Sequence, residues 1–308
     1  MSEPSPPTIT VLTPAYRRTD PLERLYESLL AQTYRDFEWV VVDDGSGEEV
    51  GRLVESWVAA GEIDVVYRWQ ENRGKHVAVN RGVELARGEF TTIIDDDDRF
   101  VENALERLLH HWREMPEEER QGFSGVIGLC VFEDGTLVGD RFPSDPFDCD
   151  PVELAYVYKV AGDKHGLLRT EVLREFPYPF ETMRGFVVDA LVWNRMALKY
   201  RERHVNEVVT VKDYRADGIT ARERSLLIRS APATSQFFLE ESQLPHPLTL
   251  RKRARSYANY ARYSLHAGRG LVEQSRAVRS KVAWAAALPV GAAVYAADRV
   301  RLARANGR

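Results

Sequence analysis

Phe90-Thr91-Thr92-Ile93-Ile94-Asp95-Asp96-Asp97-Asp98 is the stretch from which the fold is read. A short apolar, β-branched run predicts a strand, and four consecutive aspartates stop it abruptly. The same arrangement occurs twice upstream. Residues 8–13 lead into Thr13-Pro14-Ala15-Tyr16, and residues 38–43, apolar through Trp39, Val40, Val41 and Val42, lead into Asp43-Asp44-Gly45-Ser46. Between these strands, residues 20–31 (Leu22, Leu25, Leu29, Leu30), 48–60 (Val50, Leu53, Val54, Trp57) and 75–86 carry apolar side chains at helical spacing, and 65–67 form a further strand. Strands that barely alternate need cover on both faces, so the prediction is an α/β protein with a mostly parallel central sheet and flanking helices. Ligands of open α/β sheets bind outside the carboxyl ends of the strands. All three polar clusters fall there.

Beyond Gly125 the pattern changes. Residues 126–132 and 136–138 predict a hairpin around Glu133-Asp134-Gly135, 187–200 a helix, and 207–214 a strand. Residues 226–308 read as mainly helical and basic, with a domain boundary near 221–230. The 308 residues, 44% hydrophobic and 29% charged, suit one large or two modest globular domains. Two cysteines, Cys130 and Cys149, provide neither a disulfide framework nor a cysteine-rich zinc site. The Ser/Pro-rich start has no apolar core of a secretory signal, so the expected setting is cytoplasmic.

Neighbouring carboxylates repel by about 1 kcal/mol per pair in water and by more in a cleft. The run 95–98 therefore calls for a cation. In extended backbone Asp95 and Asp97 share one side, Asp96 and Asp98 the other, and paired hard oxygens suit Mg2+ or Mn2+ on a phosphate. A solvated acidic turn ahead of a helix from Glu102 is the alternative. Asp44 ends its strand where an acid commonly meets a nucleoside, although Asp-Asp-Gly-Ser is also an ordinary turn. Tyr16 is placed to stack on a base, and Asn72-Arg73-Gly74-Lys75 precedes a helix N-terminus suited to phosphate. Pro14 and Tyr16 stand where a glycine-rich phosphate loop would need glycines, which disfavours dinucleotide and P-loop sites.

Taken in order, Thr13-Pro14-Ala15-Tyr16, Val42-Asp43-Asp44-Gly45-Ser46, Asn72-Arg73-Gly74-Lys75-His76, Asn80-Arg81-Gly82, Ala86-Arg87-Gly88-Glu89 and Ile94-Asp95-Asp96-Asp97-Asp98 resemble the family-2 glycosyltransferases of GT-A fold. His165-Gly166-Leu167-Leu168-Arg169, Asp189 to Arg195, and Asp213-Tyr214 to Asp217-Gly218-Ile219-Thr220 resemble later segments of that family. The resemblance implies a catalytic domain over 8–222 and leaves 223–308 as a helical extension. It implies that Thr13, Pro14, Tyr16 and Asp96 lie along the nucleotide, that Asp44 bonds the base (usually uracil), and that Lys75 meets phosphate or donor sugar. It further implies a divalent metal, Mn2+ or Mg2+, on Asp95 and Asp97, with a register that uses Asp98 left open. Asp189, where near relatives have glutamate, matches the general base of an inverting transfer from a nucleoside diphosphate sugar to a glycan or lipid-linked hydroxyl.

Residues 249–308 carry 13 Lys/Arg against two acids, whereas the other 248 residues carry 29 basic and 45 acidic groups. Leu250, Ala254, Tyr257, Ala258, Ala261 and Leu265 recur at helical spacing among arginines, which predicts a helix lying on an anionic membrane surface. The alternatives are packing on the acidic body or a homodimer contact. The uncharged run 282–297 spans about 24 Å, too short for a ~30 Å hydrocarbon core. Nucleic acid is not an expected partner. Two rival readings of the cleft are a metal-dependent sugar-phosphate nucleotidyltransferase, which wants a glycine-rich loop after the first strand, and a non-catalytic nucleotide-sugar or glycan-binding protein.

Overall fold

Strand β1 (Ile9–Ala15) is buried along its whole length and pairs in parallel with β2 (Phe37–Asp44) on one side and β4 (Phe90–Ile93) on the other. The computed structural model describes residues 5–179, 183, 185–213 and 225–306. These divide into two compact units. One holds the described residues of Met1–Arg184 and Arg195–Ala216; the other holds those of Gly185–Asn194 and Asp217–Arg308.

In the first unit β1 leads through α1 (Asp20–Leu30) to β2, then through α2 (Glu48–Ala60) to β3 (Asp64–Gln70) and through α3 (Lys75–Leu85) to β4. Next come β5 (Arg99–Phe100), α4 (Ala104–Arg113), the short α5 (Glu117–Arg120), β6 (Phe123–Phe132), β7 (Phe147–Cys149), a π-helical turn (Glu153–Val157), β8 (Lys164–Arg169), α6 (Thr170–Glu175) and β9 (Arg201–Lys212). The sheet order is β3-β2-β1-β4-β8-β6-β9-β5, with β7 added on β9. β3, β2, β1 and β4 are parallel, as the apolar runs predict. β8 then pairs antiparallel with β4 and β6, β9 runs parallel to β6, and β5 and β7 run antiparallel to β9. The sheet is therefore mixed: β3, β2, β1 and β4 carry the predicted parallel order, and β6 and β9 are a further parallel pair among antiparallel neighbours.

The reason the first strands do not alternate is visible in their neighbours. Trp39, Val11 and Val41 face α1 and α2, where Tyr26 and Trp57 stack with ring centroids 4.4 Å apart and Trp39 lies 5.4 Å from Trp57. Leu12 faces the other way, so close to Gly82 of α3 that a β-carbon there would overlap its side chain. Both faces are dry. The predicted hairpin after β6 forms, closed by Phe132 N–H to Thr136 O (2.9 Å for the Gly135 N–H to Phe132 O turn bond) with Gly135 at φ +80°. The predicted helix over 187–200 is shorter, α7 (Ala190–Met196), and the late strand begins earlier than predicted, at Arg201.

The second unit is helical: α8 (Ala231–Ser242), α9 (Leu250–His266), α10 (Leu271–Ala277) and α11 (Lys281–Asn306). Here the structure corrects one expectation. Tyr257, Ala258 and Ala261, the middle of the α9 face expected to lie on a membrane, are buried, whereas Leu250 and Ala254 at its start are exposed. Tyr257 and Ala258 belong to a cluster with Leu239, Tyr260, Trp284 and Ala287 of the same unit. Neighbouring helices cover the middle of that face. The predicted boundary at 222/223 lies outside the described residues.

Candidate active site

The chain passes from β1 through β2 to β3 on one side and returns through α3 to β4 on the other, so the crevice beyond β1 and β4 is the sheet's switch point. The loops after those two strands meet there. Ile94 N–H bonds Leu12 O at 2.9 Å, extending β4 to the edge of the acidic run, and Asp98 N–H turns back to Asp95 O at 3.2 Å. Every aspartate has a cationic partner, with one arginine serving two of them. Lys75, the first residue of α3, places Nζ 2.6 Å from Asp95 Oδ1. Arg18 reaches Asp96 at 3.2 Å and also pairs with Asp97. Lys212, at the end of β9, sets Nζ 2.5 Å from Asp98 Oδ2. The acidic run is thus balanced by three basic side chains brought from distant elements, and its stability does not by itself demand a metal.

The balance between burial and cationic neighbours decides which of these acids stays ionised most firmly. Burial raises Asp95, but Lys75 and Lys212 outweigh it and hold the carboxyl at about 2. Burial pushes Asp96 up to about 7 against the Tyr16 N–H and Arg18, and Asp98 up to about 7 against Lys212. Asp97 is also raised by burial and by Asp95. One carboxylate oxygen from each of Asp95, Asp97 and Asp98 lies within 4.8 Å of the others. Three hard oxygen donors at that spacing fit Mg2+ or Mn2+. Asp98 is the most enclosed of the three, its side chain 4% exposed and held by Lys212.

Several predicted nucleotide residues do structural work at the same place. Asp96 accepts the Tyr16 N–H at 3.0 Å and so fixes the turn after β1. Asp44 accepts from Arg73 N–H, Gly74 N–H and Gln70 Nε2, each at 2.8 Å, which pins the loop before α3. Gly74 takes φ +106° and Gly45 φ +84°, conformations that favour glycine. Thr13 departs from expectation: it is fully buried and its hydroxyl accepts from Trp39 Nε1 at 3.0 Å, so the side chain belongs to the core and not to a pocket wall. Pro14 lies in β1, buried, and pairs with Val42. Tyr16 is 41% exposed, its ring covered on one side by the Arg17 guanidinium. Lys75 and Tyr16 therefore remain at the open side of the crevice.

Arg18 and Lys212 were not legible as site residues. Nothing in a lone Arg or in the alternation of β9 marks them; only the folded register brings them to the aspartates. His165 is buried, 2.8 Å from the Thr92 hydroxyl and edge-on to Phe100, and burial with Lys212 nearby lowers its pKa to about 3. It is a core histidine. Asp189 precedes α7, where its carbonyl accepts from Val192 N–H at 2.9 Å. It falls in the second unit, with the segment 185–194.

A mixed sheet with an acidic cluster at its switch point defines the GT-A class of fold. The model for glycosyl transferase family 2 matches residues 10–129. TuaG of Bacillus subtilis, named for teichuronic acid biosynthesis, is 31% identical over 170 residues, covering 55% of this chain and 63% of that protein. The chain thus spans less than two thirds of that relative. Among solved structures, S. aureus TarS 1-349 in complex with UDP-GlcNAc superposes with a TM-score of 0.58 at 18% identity, over 91% of this chain and 79% of that one. The Pyrobaculum calidifontis mannosyltransferase PcManGT, in complex with GDP-Man and Mn2+, gives 0.54 at 21%, over 94% and 80%.

Proposed function

We propose that the protein transfers a sugar from a UDP-linked donor to a hydroxyl of a cell-envelope glycan or lipid-linked acceptor, with inversion at the anomeric carbon. The observation that carries this reading is the cluster of Asp95, Asp97 and Asp98 at the switch point, with Lys75 beside it. The UDP-GlcNAc held by TarS and the GDP-Man with Mn2+ held by PcManGT support a nucleotide sugar and a divalent ion as ligands. Asp95 and Asp97 would hold the ion, while Lys212 keeps Asp98 in place behind them. When bound, a divalent cation there offsets the charge that develops on a departing diphosphate. Lys75 and Arg18, released from their acids, add positive charge on the same side. Tyr16 offers an open aromatic face to a base. Asp189 accepts the proton of the attacking hydroxyl, which makes that oxygen the nucleophile as the bond to UDP breaks on the opposite face.

Two substitutions test the reading. Asp189→Asn should lower transfer by about 10³-fold, within the usual range for a general base, and leave UDP affinity within a few fold. Joint loss of binding and turnover would make Asp189 structural. Asp97→Ala should weaken Mn2+-dependent UDP binding, measured by calorimetry, by at least about tenfold. Unchanged affinity would remove the metal assignment.

A further inference from the structure

Helix α11 has two faces, and neither is polar. From Val282 to Ala297 it contains no charged residue. Trp284, Ala287 and Gly291 are buried on the inner side, where a β-carbon at Gly291 would collide with the Ala258 carbonyl and the Ala261 side chain of α9. The outer side is bare. Val282 is 82% exposed and Val290 59%, and Ala286, Ala293, Val294 and Ala297 continue the same stripe. A surface helix ordinarily turns charged or polar side chains outward. This one presents a strip of aliphatic carbon about 24 Å long.

The ends of the strip are cationic. Arg279 and Lys281 precede it, Arg299, Arg301 and Arg304 follow it, and all five are exposed. The two acids in residues 249–308 are committed elsewhere: Asp298 is buried against Arg262 (2.6 Å) and His266 (3.2 Å), and Glu273 lies 3.5 Å from Arg269. A second copy of the chain laid on this strip would bring arginines against arginines. Anionic headgroups meet both requirements, with aliphatic cover along the strip and negative charge at its ends. No helix among the described residues is long and apolar enough to cross a membrane.

We infer that the outer face of α11 is a docking surface for an anionic phospholipid leaflet, with the helix lying in the plane of the headgroups. The arginines and Lys281 run their stems along the apolar strip and place their charges at the phosphates. This inference stands apart from the sugar-transfer reading, since it uses no residue of the crevice.

The test is flotation of the full-length protein with vesicles of phosphatidylcholine alone or of phosphatidylcholine with phosphatidylglycerol. The protein should float with the anionic vesicles and stay behind with the neutral ones. Val290→Asp should reduce partitioning roughly tenfold, and Arg301→Glu, a change of two charges beside the headgroups, by about thirtyfold. Ala293→Gln, a substitution that keeps helix propensity, guards against misfolding of the first variant and should also weaken flotation. Circular dichroism and melting temperature should match wild type. Three results would overturn the inference: no flotation of wild type with anionic vesicles; flotation lost in Arg301→Glu but intact in Val290→Asp and Ala293→Gln, which leaves charge alone at work; or a wild-type dimer in light scattering that Val290→Asp splits, which makes a second copy the occupant.

Discussion

Many residues that make up the family likeness are spent on holding the chain, and their partners show why. Glu38 is fully buried in β2 and is satisfied by the Thr10 hydroxyl at 2.6 Å, the Arg87 N–H at 2.6 Å and Arg87 Nε at 2.7 Å. Ala86-Arg87-Gly88-Glu89 thus neutralises a buried carboxylate. Asn80 exchanges two 2.8 Å hydrogen bonds with the Tyr178 backbone, closing a long excursion of the chain. On β9, Glu207 takes Arg107 Nε at 2.8 Å and His111 Nε2 at 2.8 Å, and the Arg107 hydrogen bond chiefly draws its pKa down to about 2. A carboxyl with a depressed folded pKa contributes stability that is fully present above the unfolded value, ~4.3, and fades as pH falls toward 2. Glu207→Gln should therefore cost about 1 kcal/mol at pH 7, the partial exposure of the pair having reduced it. The difference from wild type in thermal melts should shrink steadily below pH 4. A difference independent of pH would assign the loss to packing.

At the scale of elements, the constraint that bears on the site is the seam between β1 and β4, because the crevice opens at its end. Gly88 sits beside that seam with no room for a side chain: an added β-carbon would lie 2.5 Å from Thr10 N, 2.7 Å from Ile9 C and 2.8 Å from Phe90 O. All three neighbours are backbone of the paired strands and cannot rotate away. Gly88→Ala should destabilise by about 3 kcal/mol. Gly82→Ala on α3 meets side-chain atoms of Leu12 alone, which can change rotamer where backbone cannot, and should cost less. Urea unfolding of the two variants measures the contrast, and equal losses would show that the seam yields. The tail helices teach a similar lesson. α9 and α11 both carry apolar side chains at helical spacing, yet Tyr257 is 4% exposed and Val290 59%, a difference set by which helix lies between the others.

For the molecule as a whole, the helical extension cannot be treated as a removable appendage. The segment 185–194, which contains Asp189, groups with the C-terminal helices and not with the sheet. Phe186 N–H bonds Ser230 Oγ at 2.9 Å, and Gly185 is so near that hydroxyl that a β-carbon would lie 2.7 Å away. Truncation after residue 222 would strip those partners from the segment. The shortened protein should keep UDP affinity within a few fold, since the acidic crevice is built from the first unit, but should lose most of its sugar transfer. Full transfer by the truncated chain would show that the segment holds its place without the helices.

The α/β class, the order of the first four strands and the acidic cluster at their ends were legible in the residues, because each rests on local patterning: apolar runs of strand length, helical spacing, and polar residues where strands stop. Lys75 and Asp95 could likewise be named in advance, since both lie at the ends of predicted elements. The mixed pairing of β8, β6 and β9 was not legible, because short strands state their length but not their neighbours. Nor were Lys212 and Arg18, whose pairing with aspartates 114 and 79 positions away depends on register. The core placement of Thr13, the covered face of α9 and the bare face of α11 belong to the same group. Sequence periodicity marks which side of an element is apolar, and only packing decides what that side meets.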